Sequence, residues 1–589
     1  MKISKIYSNK QFKNIEFNED FNVIIGRIFD RTKMEKDTHC LGKTALISVI
    51  DFLLLERFDR RNSRVLGKNI FRRKVFFAEL LLNNGKYLII RRDIDNPSKI
   101  SFKLNDFKSD GFKQDFNWDE EDLPFEKAKK RLNEYLGFDV LKNWQYRTMV
   151  TYFLRTQEDY QDVFKLNKFK GKDKYWKSMM FDMLGFDGEV VKQKADLEEQ
   201  QDEFKKQINI LQTEAQIDAK EKDKIQGFLD IKRDEKQKTE EQIDKFNFFE
   251  KDKITNQELV EDIDTQIQTL NTRRYSIDYE INKINHSLSS GINSINLNEL
   301  VKIYEEVEIY FPDNLIHNYQ QLLEFNESIT QERNRFLKEN LQQLKGEQQF
   351  IDNELRVLEN KKEALLSYLT EKDSYTKFKE NQKQLAKIEA EVIRLEDKLK
   401  SIDKVGKIEE KLEEIKHSIE DKARGISNLI DEQKHTEIRK TFNSIISAVL
   451  NVPAIISITQ NKKGNVEFNA DCQHPENLEV TAEGEGTSYK KLLCMAFDLS
   501  ILIHYSKNSF FKFVYHDGAL EGLDDRKKNN LLQHVKKICG EHNIQYIFTL
   551  IDSDMPRDEN NKTIDFSANE ICLELHDKDV SGRLFEIGF

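Results

Sequence analysis

From the first residue to about 188 the chain alternates short apolar runs with polar turns, the texture of a mixed sheet with helices. Phe21-Asn22-Val23-Ile24-Ile25, Lys74-Val75-Phe76-Phe77-Ala78-Glu79-Leu80 and Lys86-Tyr87-Leu88-Ile89-Ile90-Arg91 read as strands, the last two joined by a hairpin turn at Asn83-Asn84-Gly85. From about 189 to about 435 Glu, Lys, Gln and Asp dominate, with apolar residues spaced among them. Leu385, Ile388, Val392, Leu395, Leu399 and Ile402 step alternately by three and four, which puts all six on one seam of a helix and predicts a coiled coil. Leu337, Leu341, Leu344, Ile351, Leu355, Leu358 and Leu365 keep the same register, and Phe204, Ile208 and Leu211 begin a weaker version. Three successive steps of three between Leu399 and Ile408, beside Gly406, predict a local break in the heptad. Residues 291–330 carry Gly291 and Ile309-Tyr310-Phe311-Pro312-Asp313 outside the heptad, where an antiparallel coil would turn back.

After about 436 the globular texture returns. Phe513-Val514-Tyr515 and Gln545 to Leu550 read as buried strands around a helix from Asp524 to Cys539. The expected architecture is a split α/β domain with a long antiparallel coiled coil inserted. Residues 1–188 form one lobe, 189–290 the ascending arm, 291–330 its tip, 331–435 the descending arm and 436–589 the second lobe.

Composition fits this division: 34% charged residues and a mean hydropathy of −0.70 coexist with 40 Phe and 18 Tyr in 589 residues, so dense cores sit beside solvated helix. A net charge of −11 gives no global nucleic-acid signature, but two segments are locally basic. One holds Arg57, Arg60, Arg61, Arg64, Lys68, Arg72, Arg73 and Lys74; the other sets Lys165, Lys168, Lys170, Lys172, Lys174 and Lys177 among Phe164, Phe169, Tyr175 and Trp176. Cations that neutralise phosphates beside rings that stack on bases make these a candidate DNA surface, with Arg60, Arg61, Arg64, Arg72, Arg73, Lys170 and Lys174 as contacts. A solvated surface over core aromatics explains them equally. The five cysteines form no Cys-x-x-Cys pair, which argues against a zinc hook or ribbon and against a disulfide framework. With no signal peptide and no run of about 18 apolar residues, the expectation is a cytoplasmic protein without a membrane segment.

The candidate chemistry begins at Val23-Ile24-Ile25-Gly26 and ends at Gly42-Lys43-Thr44. Backbone amides at a helix start, a lysine ammonium and a threonine hydroxyl are what a phosphate-binding loop offers to ATP and Mg2+. Fifteen residues separate Gly26 from Gly42, however, where the standard loop has four. Taken alone, an ordinary helix start explains the tripeptide as well. Far along the chain, Phe513-Val514-Tyr515-His516-Asp517 ends a strand on an acid suited to a magnesium shell, and Glu521-Gly522-Leu523-Asp524 follows as a turn. Upstream, Gly486, Thr487 and Ser488 lie where a small-residue turn enters an apolar helix, which a Gly-rich loop capping a core helix explains comparably.

This order resembles the structural-maintenance-of-chromosomes (SMC)-like branch of ATP-binding-cassette P-loop ATPases. More narrowly, His39-Cys40-Leu41-Gly42-Lys43-Thr44, Tyr152-Phe153-Leu154-Arg155, Tyr310-Phe311-Pro312-Asp313, His516-Asp517-Gly518 and Gly582-Arg583-Leu584-Phe585 resemble a bacterial coiled-coil family of such ATPases. The resemblance implies a head-to-head homodimer that sandwiches ATP between Lys43 of one head and the Ser488 turn of the other, with Gly26, Gly42, Thr44, Gly486, Thr487 and Asp524 also at the nucleotide. It implies Mg2+ held near Thr44, Gln157 and Asp517, and arms that engage DNA. It further implies a bacterial anti-phage defence setting with an effector or other partner protein. Two departures stand out: Gly518 occupies the position of the glutamate that follows the Walker B aspartate, and no switch histidine follows Phe548-Thr549-Leu550-Ile551-Asp552. Slow or partner-dependent hydrolysis is therefore expected, with His516, Glu521 or Asp552 as substitutes beside Asp517. The alternative is an ATP-binding scaffold whose coil recruits an effector; a nuclease finds no additional acidic cluster to support it.

Overall fold

Strands that read as unbroken apolar runs belong in a sheet covered on both faces, and here they form one. The computed structural model describes residues 1–29, 41–60, 63, 65–166, 173–215, 221–244, 257–289, 313–366, 372–473, 487–558 and 562–587. The chain divides into two units, Met1–Gln200 with Ile415–Phe589, and Gln201–Glu414 inserted between those halves.

In the first unit five parallel strands lie side by side in the order β13 (Ile571–His576), β3 (Phe21–Arg27), β12 (Gln545–Ile551), β11 (Phe513–His516) and β8 (Leu154–Arg155). Two of them come from the N-terminal half and three from the C-terminal half, so neither half completes the sheet alone. Parallel strands need crossovers, and helices supply them. α1 (Lys43–Leu53) follows β3, and eight of its eleven residues are buried. A second sheet is antiparallel, in the order β2 (Ile15–Glu16), β1 (Lys2–Ser8), β4 (Val75–Leu81), β5 (Tyr87–Asp93), β6 (Lys99–Asn105) and β7 (Glu120–Pro124). β4 and β5 form the expected hairpin, and Gly85, at φ +82, supplies the left-handed residue its turn requires. α2 (Phe125–Leu136) packs on this sheet, while β9 (Ala454–Gln460) and β10 (Val466–Cys472) form a separate hairpin. The remaining helices of the unit include α3 (Asp173–Met183), α9 (Thr436–Leu450), α10 (Thr487–His504) and α11 (Asp525–His542).

The second unit takes in α5 (Lys222–Asp244), α6 (Gln257–Ser289) and α7 (Asp313–Leu366), with parts of α4 (Glu189–Ala215) and α8 (Lys372–Asp431). Its ion pairs fix the helix directions. Lys222 to Asp403 (2.7 Å), Arg233 to Glu396 (2.7 Å) and Lys236 to Glu389 (3.0 Å) run α5 antiparallel to α8. Arg273 to Glu347 (2.8 Å) and Arg274 to Asp352 (2.5 Å), with the pair Asp264 and Lys362, run α6 antiparallel to α7. Thr272 bonds Glu389 at 3.0 Å and Arg394 stands 5.4 Å from the Tyr279 ring, so α6 lies parallel to α8.

The middle of the chain is therefore not a single hairpin of arms turning at 291–330. The segment expected to ascend is split into helices with different partners, and residues 313–330 are helical within α7. Residues 291–312, including Tyr310-Phe311-Pro312, lie outside the described residues. The seams themselves are as read: Leu385, Ile388, Val392 and Ile402 are buried, with Leu229 packed on Ile388 and Val392 and Ile225 on Ile402 and Val405. Heptad spacing fixes which face is buried, not which helix covers it. The heptad break beside Gly406 falls within a continuous helix, since α8 runs through it.

Candidate functional site

β3 ends beside β12, with Gly26 opposite Ile551. Gly42, the residue before α1, has φ +96, and no acidic residue occupies the helix's first turn. The first N–H groups of α1 thus open on an anion-favouring helix start at the C-terminal edge of a parallel sheet, where ligands of open α/β sheets bind. Residues 30–40, including His39 and Cys40, lie outside the described residues, but both ends of this insertion are fastened. Ile28 N donates to Asp552 Oδ2 (2.9 Å), Phe29 N to Asp577 Oδ1 (2.8 Å), and Leu584 N to Leu41 O (3.0 Å).

The decisive contact spans most of the chain. Thr44 Oγ1 donates to Asp517 Oδ2 at 2.9 Å, 473 residues away in sequence. Asp517 follows β11 and is buried; its other oxygen accepts from Thr549 Oγ1 (2.5 Å), and Thr549 in turn accepts from Gly518 N (2.9 Å). Thr549, a lone hydroxyl in the apolar run of β12, was not expected here, and that polar interruption is the signal that marks it. A converging hydroxyl and carboxylate form a hard-oxygen donor set, which suits Mg2+ held mainly by substrate phosphates and water. Among the described residues there is no self-sufficient cluster of three or more His, Cys, Asp or Glu for a metal.

Gly518 has φ +62, and a Cβ there would lie 2.8 Å from Gln157 Nε2 and 3.1 Å from Glu521 Oε2. The Gln157 amide and the Glu521 carboxylate, themselves 3.1 Å apart, thus fill the space that a side chain at 518 would enter. Gln157 is turned toward Glu521 rather than toward Thr44 and Asp517. Lys491 of α10 ties the turn down: its ammonium donates to Gly518 O (2.9 Å) and Glu521 O (3.3 Å), lies 3.5 Å from Glu521 Oε2 and stands over the Tyr160 ring. Ser488 Oγ donates to Gly522 O (3.0 Å), and Asp524 caps α11 by accepting from Lys527 N (3.0 Å). The hydrogen bond and charge of Lys527 hold the Asp524 carboxyl below its usual range. Gly486 lies outside the described residues, as does the side chain of Thr487.

His516 points the other way, as alternation along a strand requires. It is fully buried, with Nε2 3.1 Å from Asp498 Oδ2 and Nδ1 3.0 Å from the Tyr546 hydroxyl, and burial pushes its imidazole down. Both ring nitrogens serve the core, so His516 offers none to a water at the phosphate edge, contrary to its expected catalytic part. Asp498 also takes Arg155 at 2.6 and 2.9 Å, and Arg155 donates on to the carbonyls of Asp159 (2.8 Å) and Val163 (2.7 Å). This buried pair shapes the loop that carries Gln157. Asp552, the remaining substitute, is engaged by Ile28 N and by Arg27 at 3.7 Å.

The two basic segments fare differently. Arg72 and Arg73 are exposed, and Arg60 reaches Asp95 at 3.5 Å; Arg61 and Arg64 lie outside the described residues. Lys174 is held by Asp196 (2.8 Å) and Glu199 (2.7 Å), and Trp176 is buried, so neither presents itself to a nucleic acid; Lys170 lies outside the described residues. No helix among the described residues is long and apolar enough to cross a membrane.

The profile of a family described as "Uncharacterised protein conserved in bacteria (DUF2326)" matches residues 445–589. Over 611 aligned positions the chain is 20% identical to the "Uncharacterized protein YydD" of Bacillus subtilis (strain 168), covering 94% of this chain and 93% of that one. Among solved structures it is similar to the Smc head domain with a coiled coil and joint from Pyrococcus yayanosii, at 13% identity and TM-score 0.34, covering 97% and 98% of the two chains. It is also similar to the Smc head domain with an extended coiled coil bound to the C-terminal domain of ScpA from Pyrococcus furiosus, at 12% identity and TM-score 0.31, covering 94% and 90%.

Proposed function

We propose that the protein is an SMC-like P-loop ATPase of the ATP-binding-cassette type. In this reading two heads close around ATP, and the coiled-coil unit responds to that closure while the complex engages DNA. The observation that supports the reading is the 2.9 Å contact of Thr44 with Asp517, which brings together residues from opposite ends of the chain. When bound, Mg2+ would offset the negative charge of the β and γ phosphates, and Thr44 and Asp517 are the oxygens that would hold it. The N–H groups of α1 and the Lys43 ammonium bind and orient the phosphates. Glu521, occupying with Gln157 the place of a side chain at 518, orients the attacking water. Ser488, presented at the start of α10, serves the nucleotide of a partner head. Exposed Arg72 and Arg73 are the core of the DNA contact. The motif resemblance supports placing the protein in a bacterial anti-phage defence system with an effector beside it, in the cytoplasm.

The test compares wild type with Lys43→Ala for ATP binding, dimer mass and phosphate release, with and without DNA. Loss of all three in the variant is expected; a variant that binds ATP and dimerises normally defeats the reading. DNA affinity should fall steeply with salt, less steeply in Arg72→Glu/Arg73→Glu, and be unchanged in Lys174→Ala. Gly518 favours one alternative, an ATP-binding scaffold, which would show no Lys43-dependent phosphate release under any condition.

A further inference from the structure

The β9–β10 hairpin joins two parts of the first unit: the loop that carries Gln157, and the roots of the helical insertion, which are the ends of α4 and α8 that belong to this unit. Its tip, Asn461 to Asn465, grips both roots. On α4, Lys194 is 1% exposed, and its ammonium donates to Asn465 Oδ1 and to Glu198 Oε1, each at 2.6 Å. On α8, Ala423 O accepts from Gln460 Nε2 at 2.8 Å. Gly464 has φ +71, and a Cβ there would stand 2.6 Å from the Ala423 Cβ, so the tip rests on α8 with no room for a side chain. Lys422 Nζ donates to Gln193 Oε1 at 2.7 Å and ties the two roots to each other. A buried ammonium costs free energy unless its hydrogen bonds are met. Lys194 meets them partly through the hairpin, so root and tip are positioned together.

The body of the hairpin reaches the Gln157 loop. The ring of Phe468 on β10 lies 5.6 Å from that of Phe164 and 6.0 Å from Trp176 on α3, and Phe164 is buried against Phe497 of α10 at 5.1 Å. Between Gln157 and Phe164 the chain is braced along its length. Arg155 donates to the carbonyls of Asp159 (2.8 Å), Asp162 (3.2 Å) and Val163 (2.7 Å), and Thr156 and Asp159 cap each other. A segment packed and bonded in this way transmits a displacement rather than absorbing it.

We propose that the β9–β10 hairpin couples the roots of α4 and α8 to the groups that orient water: Asn465 and Gln460 fix the hairpin on the two helices, and Phe468, through Phe164, sets where Gln157 meets Glu521. Asn465 and Phe468 are positioning residues that act through Gln157. The catalytic consequence rests on the ATPase reading above. Gln157 stands 3.1 Å from Glu521, and a hydrogen bond weakens steeply once its geometry is lost. A shift of the loop by about 1 Å therefore costs rate while leaving Lys43 and the start of α1, which hold the phosphates, in place.

The experiment uses the full chain with Asn465→Ala, Asn465→Asp, Phe468→Leu, Gln157→Ala and the Phe468→Leu/Gln157→Ala pair. It reads ATP affinity by equilibrium dialysis, steady-state phosphate release, and amide hydrogen exchange over residues 157–164 without nucleotide. Phe468→Leu and Asn465→Ala should each lower kcat about tenfold with ATP affinity kept within about threefold, and Asn465→Asp, which keeps an acceptor for Lys194, should recover most of the loss. On the Gln157→Ala background Phe468→Leu should change kcat by less than about twofold; a full tenfold loss there would show that the two residues act independently and overturn the proposal. Exchange over residues 157–164 should quicken about fivefold in Asn465→Ala. Unchanged exchange, or a lower thermal midpoint with kcat untouched, would make the hairpin a structural part only and overturn the proposal alone. Absence of Lys43-dependent phosphate release from the wild type would overturn the ATPase reading, while exchange still decides the coupling.

Discussion

Gly518→Glu sets an acid directly after Asp517, and under the proposed ATPase reading motif logic alone expects it to raise turnover. The structure leads to the opposite outcome. At φ +62 any residue with a β-carbon pays about 1–2 kcal/mol, partly offset by about 0.4–1 kcal/mol from the stiffer unfolded chain. Gly518→Ala should therefore cost about 1 kcal/mol. A Cβ would stand 2.8 Å from Gln157 Nε2 and 3.1 Å from Glu521 Oε2. Both are ends of flexible side chains and can withdraw, but withdrawal breaks their mutual 3.1 Å hydrogen bond. The new carboxylate would also stand against Glu521 and beside Asp517, raising the total cost to about 2 kcal/mol. Urea unfolding and single-turnover phosphate release, run with Gly518→Ala and Gly518→Asn, separate the contributions, since asparagine tolerates the left-handed region. The expected order of turnover is wild type, then asparagine, then alanine, then glutamate. A glutamate variant that is as stable as wild type and faster would refute the claim that Glu521 fills this space.

Asp498→Ala strands the fully buried Arg155 guanidinium and should destabilise the first unit by about 3–5 kcal/mol; a loss below about 1 kcal/mol in urea titration would show that the pair is dispensable. His435 is fully buried with both ring nitrogens unpartnered among the described residues, and burial, with help from Arg439, pushes its pKa down to about 4. The unfolded chain then binds the extra proton between about pH 6.5 and 4, so stability is full above that window and falls as pH drops through it, by about 3 kcal/mol in total. Urea midpoints of wild type and His435→Leu from pH 7 to 4 should diverge in that direction, and parallel curves would exclude His435 as the source.

How much of this was legible depends on the range of the interaction. The strands of the parallel sheet were readable because burial on both faces needs only an apolar run, and β3, β11 and β12 lie where those runs are. The seam from Leu385 to Ile402 was readable because heptad spacing is local; the doubling of the helical unit was not, because its ion pairs join residues that no local pattern connects. Motif spacing singled out Lys43, Thr44, Asp517 and Asp524, and the fold brings Thr44 to Asp517, yet spacing could not orient side chains. His516 and Asp517 are adjacent in sequence, yet His516 faces Asp498 and Tyr546 in the core while Asp517 meets Thr44. Likewise Lys174 reads as a cation in sequence and stands neutralised between two carboxylates in the fold.

A last step concerns the balance of hydrogen bonds at the site. Thr44 is paired with Asp517, Ser488 with Gly522 O, and Gln157 with Glu521, so the groups assigned to ATP, its metal and a partner head are already satisfied by one another. Exchanging one such bond for another is worth only about 0.5–1.5 kcal/mol net. In the proposed reading, affinity for ATP comes chiefly from phosphate charge meeting the Lys43 ammonium and the N–H groups at the start of α1. The same reasoning applies to the second head, where Ser488 must release Gly522 O before it can serve a γ-phosphate. Because Lys491 on the same helix holds Gly518 and Glu521, that release acts on the turn that orients water. In the proposed reading, nucleotide on one head is thereby coupled through α10 to the Glu521 carboxylate of the other, and hydrolysis follows closure rather than binding.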